Sequence, residues 1–344
     1  MIRTRVSLWW GLLVLVGLFA VPLVRTVRAD YGDATLPRGG VFNHPITVMI
    51  DNHVDAVPQS GFNNAAVVFE ALAEGGITRF MMVFNGDAFT PNAIGPVRST
   101  RLYFGQLAMG FKAVHVHAGG SPQGLALMAN STQTIDIDAL RRGNGGAFYR
   151  TTTNVAPHNL FTSANGLNAR IAQKGVGTIQ PATIDANGVA QPVADSDVGY
   201  LYRDDSDAAV RPSGQHISYY FLNRYTGATW GYDPTSNSYG RTVNGKIARD
   251  ANTKNQITVK NLIVMEVPSQ QIMGDPKGRM DVEVIGKGPA VIYQDGIVFD
   301  VEWRKENAES PLRFYYLDGV TEVSMVRGQM WITVLPTLTH LRVN

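Results

Sequence analysis

From residue 42 onward the apolar residues come in short, β-rich runs separated by turn signals. Such runs read as strands. Ile46-Thr47-Val48-Met49-Ile50 ends at Asp51-Asn52-His53. Ala65 to Leu72 and Ile77 to Phe84 flank Glu74-Gly75-Gly76 and predict a hairpin. Leu102 to Met109 has helical composition, Ala113 to His117 is a short β run, and Gln123 to Met128 and Ala164 to Gln173 read as helices. Residues 42–180 are therefore expected to be mixed α/β. Residues 181–214, rich in Pro, Asp, Ala and Ser, read as a linker. From His216 short strands recur, with Asn244-Gly245 and Asp295-Gly296 among the turn signals. Regular short strands predict a curled sheet or small barrel over 215–340. The basic tail His340 to Arg342 reads as frayed. The expected fold class is an α/β (mixed) N-terminal domain followed by a β-rich C-terminal domain, with an N-terminal signal or membrane anchor helix.

The N-terminus places the chain. Arg3 and Arg5 precede an apolar run from Val6 to Val24, closed by Arg25 and Arg28. Its length, about 19 residues, is near that of a bilayer-spanning helix. Residues 1–29 read either as an export signal cut before Asp30, after Val27-x-Ala29, or as an uncleaved anchor. Residues 30–41 would be a spacer. In both readings the remainder works outside the cytoplasm, and the membrane is met through the N-terminal segment only. The chain has no cysteine, which excludes disulfides, thiol nucleophiles, thiolate metal sites and a lipid-modified cysteine. A net charge of +2 gives no electrostatic case for nucleic acid.

Two polar segments carry the candidate chemistry. Gly95-Pro96-Val97-Arg98-Ser99-Thr100-Arg101 offers two permanent cations with forked donors suited to carboxylate or phosphate. A helix starting near Ser99 would put Ser99 or Thr100 at its cap and Arg98 beside its positive end. A cation there calls for an anionic ligand or an internal carboxylate, with Glu70 and Glu74 as the candidates for a structural salt bridge. The second segment, His115-Val116-His117-Ala118-Gly119-Gly120-Ser121-Pro122, follows a strand and precedes a helix. Gly119 and Gly120 there are placed to offer backbone N–H groups to an anion. Ser121 before a proline suits an N-cap more than a nucleophile. Glu70 and Glu74, with Arg79 across the hairpin, are either an acid–base pair or counter-ions. Glu70 interrupts an apolar strand and needs a partner if buried. His115 and His117 point to one strand face. They are candidates for a general base, a substrate hydrogen bond, or metal ligation with Asp51, Asp136 or Asp138. His158 and Asn159 lie in a polar turn, His158 being a third histidine. No metal-site spacing is recognised and no cofactor is expected. Trp230, Tyr232, Tyr239 and Trp303 are either core residues or sugar-stacking platforms.

Asp51-Asn52, Pro58-Gln59-Ser60-Gly61, Glu70-Ala71, Glu74 to Phe80, Ile94 to Ser99 and Val116 to Ser121 occur in an order that resembles the YerB-like family of bacterial envelope proteins. Tyr149-Arg150, Pro157-His158-Asn159-Leu160, Asp295-Gly296, Val301 to Lys305 and Gly328 to Ile332 extend the resemblance over roughly residues 42–338. It implies export and two adjacent domains, often found on chains described as lipoproteins, and assigns no activity. Lacking cysteine, this chain departs from the lipoprotein members, so any anchor must be peptidic. The expected function is binding or processing of an anionic cell-wall polymer such as peptidoglycan. Glu70 and His117 would be the catalytic groups. Glu74, Arg79, Arg98, Ser99 and Arg101, with His115, Gly119, Gly120 and Ser121 of the second polar segment and His158 and Asn159, would form the binding surface. The alternatives are a non-enzymatic envelope scaffold, meeting a protein partner through the β-rich domain, and a metal-dependent hydrolase.

Overall fold

The computed structural model describes residues 35–38, 42–179, 183–184, 190–191, 198–222 and 227–343. The expected signal or anchor over 1–29, most of the spacer and much of 181–214 lie outside the described residues. Among the described residues no helix is long and apolar enough to cross a membrane.

The first segment supplies strands β1 (Ile46–Asp51), β2 (Val67–Leu72), β3 (Thr78–Phe84), β4 (Val114–His117) and β5 (Ile135–Asp138). Its helices are α1 (Leu102–Met109), α2 (Pro122–Asn130) and α3 (Ala164–Gln173). The second segment supplies β6 (His216–Tyr220), β7 (Gly227–Asp233), β8 (Ser238–Val243) and β9 (Asn261–Glu266). It continues with β10 (Gly286–Gln294), β11 (Ile297–Lys305), β12 (Arg313–Tyr316), β13 (Met330–Leu335) and β14 (Leu341–Val343).

Among the described residues the main sheet has ten strands, in the order β12-β11-β10-β9-β13-β2-β3-β1-β4-β5. The hairpin β2–β3 forms as its sequence predicts, with Glu70 opposite Phe80 and Ala71 opposite Arg79. The second segment departs from the expected separate barrel. Its strands β9 to β13 join the first segment's sheet, and β13 runs parallel to both neighbours, β9 and β2. The stretches 42–180 and 215–340 thus share one body. The physical reason is visible in Met-Trp-Ile-Thr-Val-Leu of β13, buried at every position. A strand apolar on both faces needs a covered, interior place in a sheet.

Each face of the sheet has its own core. Met49, Phe69, Met81 and Val83 pack with Tyr103, Phe104 and Leu107 of α1. Val48, Val68, Phe80 and Met82 face the other way, against Leu167 of α3 and Ile217, Trp230 and Tyr239 of a second sheet. That sheet runs β8-β7-β6-β14, with Lys246–Ile247 and Thr258–Val259 also on β8. In β7, Ala228, Trp230 and Tyr232 are buried while Thr229 and Asp233 are exposed, the alternation of a sheet solvated on one side. The tail expected to fray is instead β14, paired with β6 through Leu341 opposite Tyr219. The turn signals hold. Asn244 and Gly245 have φ of 50° and 72°, and Asp295 and Gly296 have 53° and 73°, the left-handed pair that tight hairpins require.

Lys305, at the end of β11, is 1 % exposed and among the described residues meets no carboxylate, donating instead to the Ala308 and Ser310 carbonyls. Burial pushes its ammonium down to about 7. The unfolded chain then binds the extra proton between that value and about 10.4, so stability should rise with pH across this window. Between pH 7 and pH 9.5 the gain should be about 2–3 kcal/mol in wild type, measured by urea denaturation. Lys305→Met should remove it, and an unchanged slope would show that another group is responsible.

Candidate functional site

Strands β1, β4 and β5 run parallel side by side. Their C-terminal ends therefore open on one edge, where ligands commonly bind in sheets of this kind. Asp51 ends β1, His117 ends β4 and Asp138 ends β5. Both polar segments cross this edge and lock together. Ala118 N–H donates to the Arg98 carbonyl, Thr100 N–H to Gly119 and Ser121 N–H to Thr100, at 3.0–3.2 Å. Gly119 has φ of 67°, and a Cβ on Gly120 would lie 2.8 Å from Thr100 Cγ2. Only glycine allows so close an approach.

The lock consumes groups that the sequence offers to a ligand. Gly119 N–H donates to Asp138 Oδ1 at 2.8 Å. The Ser121 hydroxyl accepts from Gly124 N–H at 3.1 Å and caps α2. Ser99 Oγ donates to the Ala118 carbonyl at 2.9 Å. Helix α1 starts later than expected, with Arg101 at its N-cap and no side-chain cap bond.

The histidines of β4 are buried and engaged. Thr47 and Thr100 hydroxyls meet the two nitrogens of His115 at 2.8 and 2.9 Å. His117 meets the Gly119 carbonyl through Nδ1 at 2.8 Å and Asp136 through Nε2 at 2.7 Å. Both are 0 % exposed. All four ring nitrogens are thus engaged within the protein, and in this arrangement both histidines tie β4 to its neighbours.

Glu70 is also a core residue. It is 2 % exposed and accepts from Tyr219 Oη at 2.8 Å, Arg241 Nη2 at 3.1 Å, Trp331 Nε1 at 3.2 Å and Thr78 Oγ1 at 3.2 Å. Arg241 in turn lies 4.4 Å above the Trp331 ring. A carboxylate walled in this way holds the two sheets together and is no general acid. Glu74 belongs to a different cluster. It pairs with Arg79 at 2.6 Å and with Arg101 at 2.5 Å. Burial pushes the Glu74 carboxyl up, but the charges and hydrogen bonds of Arg79 and Arg101 overcome this and hold it below the usual range. Glu74 is the internal anion demanded by a cation at the start of α1. Arg79 also donates to the Ser99 carbonyl, and Arg101 to Thr100. Trp230, Tyr232, Tyr239 and Trp303 are all buried, so none is a sugar platform.

What remains open at this edge is centred on Asp51. Asp51 is 1 % exposed, and its Oδ2 accepts from His158 Nδ1 at 2.7 Å. Its Oδ1 accepts from His53 N–H at 3.0 Å. Arg98 Nε lies 2.9 Å from Oδ2, an ion pair whose N–H points off the hydrogen-bond line. The His53 and His158 rings stack at 4.5 Å. Asn159 stands behind, taking Arg150 Nη1 at 2.6 Å. Arg98, Arg101, Glu70 and His117 therefore belong to separate ion-pair networks. His53 and Asp55 are the residues the sequence reading missed. Their signal is Asp51-Asn52-His53-Val54-Asp55, a polar cluster directly after a buried strand.

The N-terminal domain described as Protein of unknown function (DUF3048) matches residues 35–177, and the C-terminal domain of the same description matches 217–332. The chain is 30 % identical over 301 residues to the Bacillus subtilis (strain 168) protein named "Putative lipoprotein YerB", covering 86 % of this chain and 82 % of that one. The crystal structure of YerB protein from Bacillus subtilis superposes with a TM-score of 0.72 at 27 % identity, over 88 % of this chain and 94 % of that chain. Order of motifs, sequence identity and shared architecture agree, and the chain belongs to the YerB-like family.

Proposed function

We propose that this is an exported envelope protein that binds an anionic wall polymer, such as peptidoglycan, on the edge formed by Asp51, Arg98, His53 and His158. Export is supported by the basic N-terminus and apolar run and by the relative named a lipoprotein. The observation that carries the binding reading is the state of Arg98. Arg79 donates through both terminal nitrogens, and Arg101 through Nε, Nη1 and Nη2, to Glu74 and to backbone carbonyls. Arg98 is paired with Asp51, with Nε 2.9 Å from Oδ2, and its side chain is 27 % exposed. Its terminal nitrogens are left for a carboxylate or phosphate. Buried Asp51 orients both Arg98 and His158, which is the support a binding site needs. The reading is of a binder, because the buried Glu70 and His117 supply no acid or base.

The test is binding of purified peptidoglycan fragments to the full chain in chelator-containing buffer, by calorimetry. Arg98→Gln should weaken binding about tenfold, the worth of one charge-assisted hydrogen bond. Added salt should weaken the wild type more than the variant. Asp51 is 1 % exposed and loses its charged partner in the variant, keeping His158 and the His53 N–H, so the melting temperature should fall, and binding is compared at a temperature where both proteins are folded. No binding by wild type, or equal binding by the variant, would overturn the reading.

A further inference from the structure

We propose that His53, Asp55 and His158 form a binding site for a divalent transition metal of the zinc class. One potential ligand atom from each lies within 4.8 Å of the other two. Two imidazoles and a carboxylate on three flexible side chains are a donor set for zinc and its neighbours, with further positions open to water or ligand. Ligand atoms on one ion at about 2.1 Å sit about 3.4 Å apart, so binding must draw the three groups together and turn the two stacked rings until their nitrogens converge.

Two features point to a cation rather than to a chance cluster. The first is His53. Its Nδ1 accepts from Asp55 N–H at 3.3 Å, so the lone pair is on that nitrogen. The same nitrogen stands 3.4 Å from the Asp55 carboxylate Oδ2. Two acceptors facing each other at that distance repel unless a positive species lies between them. An ion there exchanges one long hydrogen bond for two coordinate bonds. The second is His158. Its Nδ1 donates to Asp51 Oδ2 at 2.7 Å, which leaves Nε2 as the nitrogen with the lone pair. Asp51 is 1 % exposed and fixed by the His53 backbone. This is the carboxylate–histidine support found behind metal-ligating imidazoles. The side chains of His53 and Asp55 are 38 % and 64 % exposed, so an ion can enter from solvent.

The inference deepens the anion-binding reading. A divalent ion beside Arg98 adds positive charge at the point where a carboxylate or phosphate would dock. It fails or stands separately, because the anion test above is made in chelator.

The experiment is titration of the metal-free full chain with Zn²⁺ by calorimetry and with Co²⁺ by visible absorption. The expected result is one ion per chain and tetrahedral-type cobalt bands. His53→Ala, Asp55→Ala and His158→Ala should each weaken binding at least tenfold. Asp51→Asn should weaken it about 10–100-fold while leaving the three ligands in place. His340→Ala, a histidine in the turn just before β14, should bind as wild type. Asp55 is exposed and bonded to little, so its variant keeps the test readable if a histidine variant unfolds. No stoichiometric binding, or binding that persists in Asp55→Ala and His158→Ala, would overturn the proposal. Peptidoglycan binding that still depends on Arg98 would then leave the anion reading intact.

Discussion

Arg241→Met should destabilise the fold by about 3–5 kcal/mol, the cost of stranding a buried charge. The stranded group is Glu70, 2 % exposed at the junction of the two sheets. Its bonds from Tyr219, Trp331 and Thr78 would survive, but none of these donors carries a charge. Arg241 also lies over the Trp331, Phe80 and Trp230 rings at 4.4, 5.4 and 5.9 Å. Methionine keeps most of that packing, so the effect read is mainly electrostatic. The double variant Glu70→Leu/Arg241→Met strands no charge and should be more stable than Arg241→Met alone. Urea denaturation of the four proteins at pH 7 measures the cycle. Additive single-variant losses would show that the two side chains do not interact across the sheets.

Acid should unfold the chain largely through His115. The ring is enclosed between Thr47 and Thr100 and is 0 % exposed. Burial, and secondarily the charge of His117, push it down to about 3, against a smaller upward pull from Asp136. The unfolded chain holds the extra proton between about 6.5 and that value. The contribution is therefore complete above about pH 6.5 and is lost as pH falls toward 3. About 2 kcal/mol should go between pH 7 and pH 5, and of the order of 5 kcal/mol by pH 3. His115→Gln keeps a donor and an acceptor but cannot titrate there. Its stability should fall less from pH 7 to pH 5 than that of wild type. Parallel losses in the two proteins would clear His115 of the acid response.

Residue types and periodicity place the elements well. Leu102–Met109 and Ala164–Gln173 lie where the sequence puts them, because each carries a self-consistent local pattern. Glu70 illustrates what is half legible. A carboxylate inside an apolar strand demands a partner, yet nothing local says that the partner is Arg241, 171 residues away. Arg98 and Arg101 look equivalent three residues apart, but one meets Asp51 and the other Glu74. That difference makes Arg101 a brace for α1 and leaves Arg98 open.

By itself the sequence determined the strands and helices of the first segment, the hairpin turns and the serine cap of α2, along with the YerB-like resemblance. These rest on propensity, turn geometry and hydrogen bonds within a few residues. Tertiary structure alone decided that β13 enters the first segment's sheet, that His115, His117 and Glu70 are sealed, and that His53, Asp55 and His158 meet over Asp51. Sheet order is chosen by which apolar faces can be covered at once, a property of the whole chain. Whether a polar side chain is a brace or an open group depends on which partners that order brings within hydrogen-bond reach.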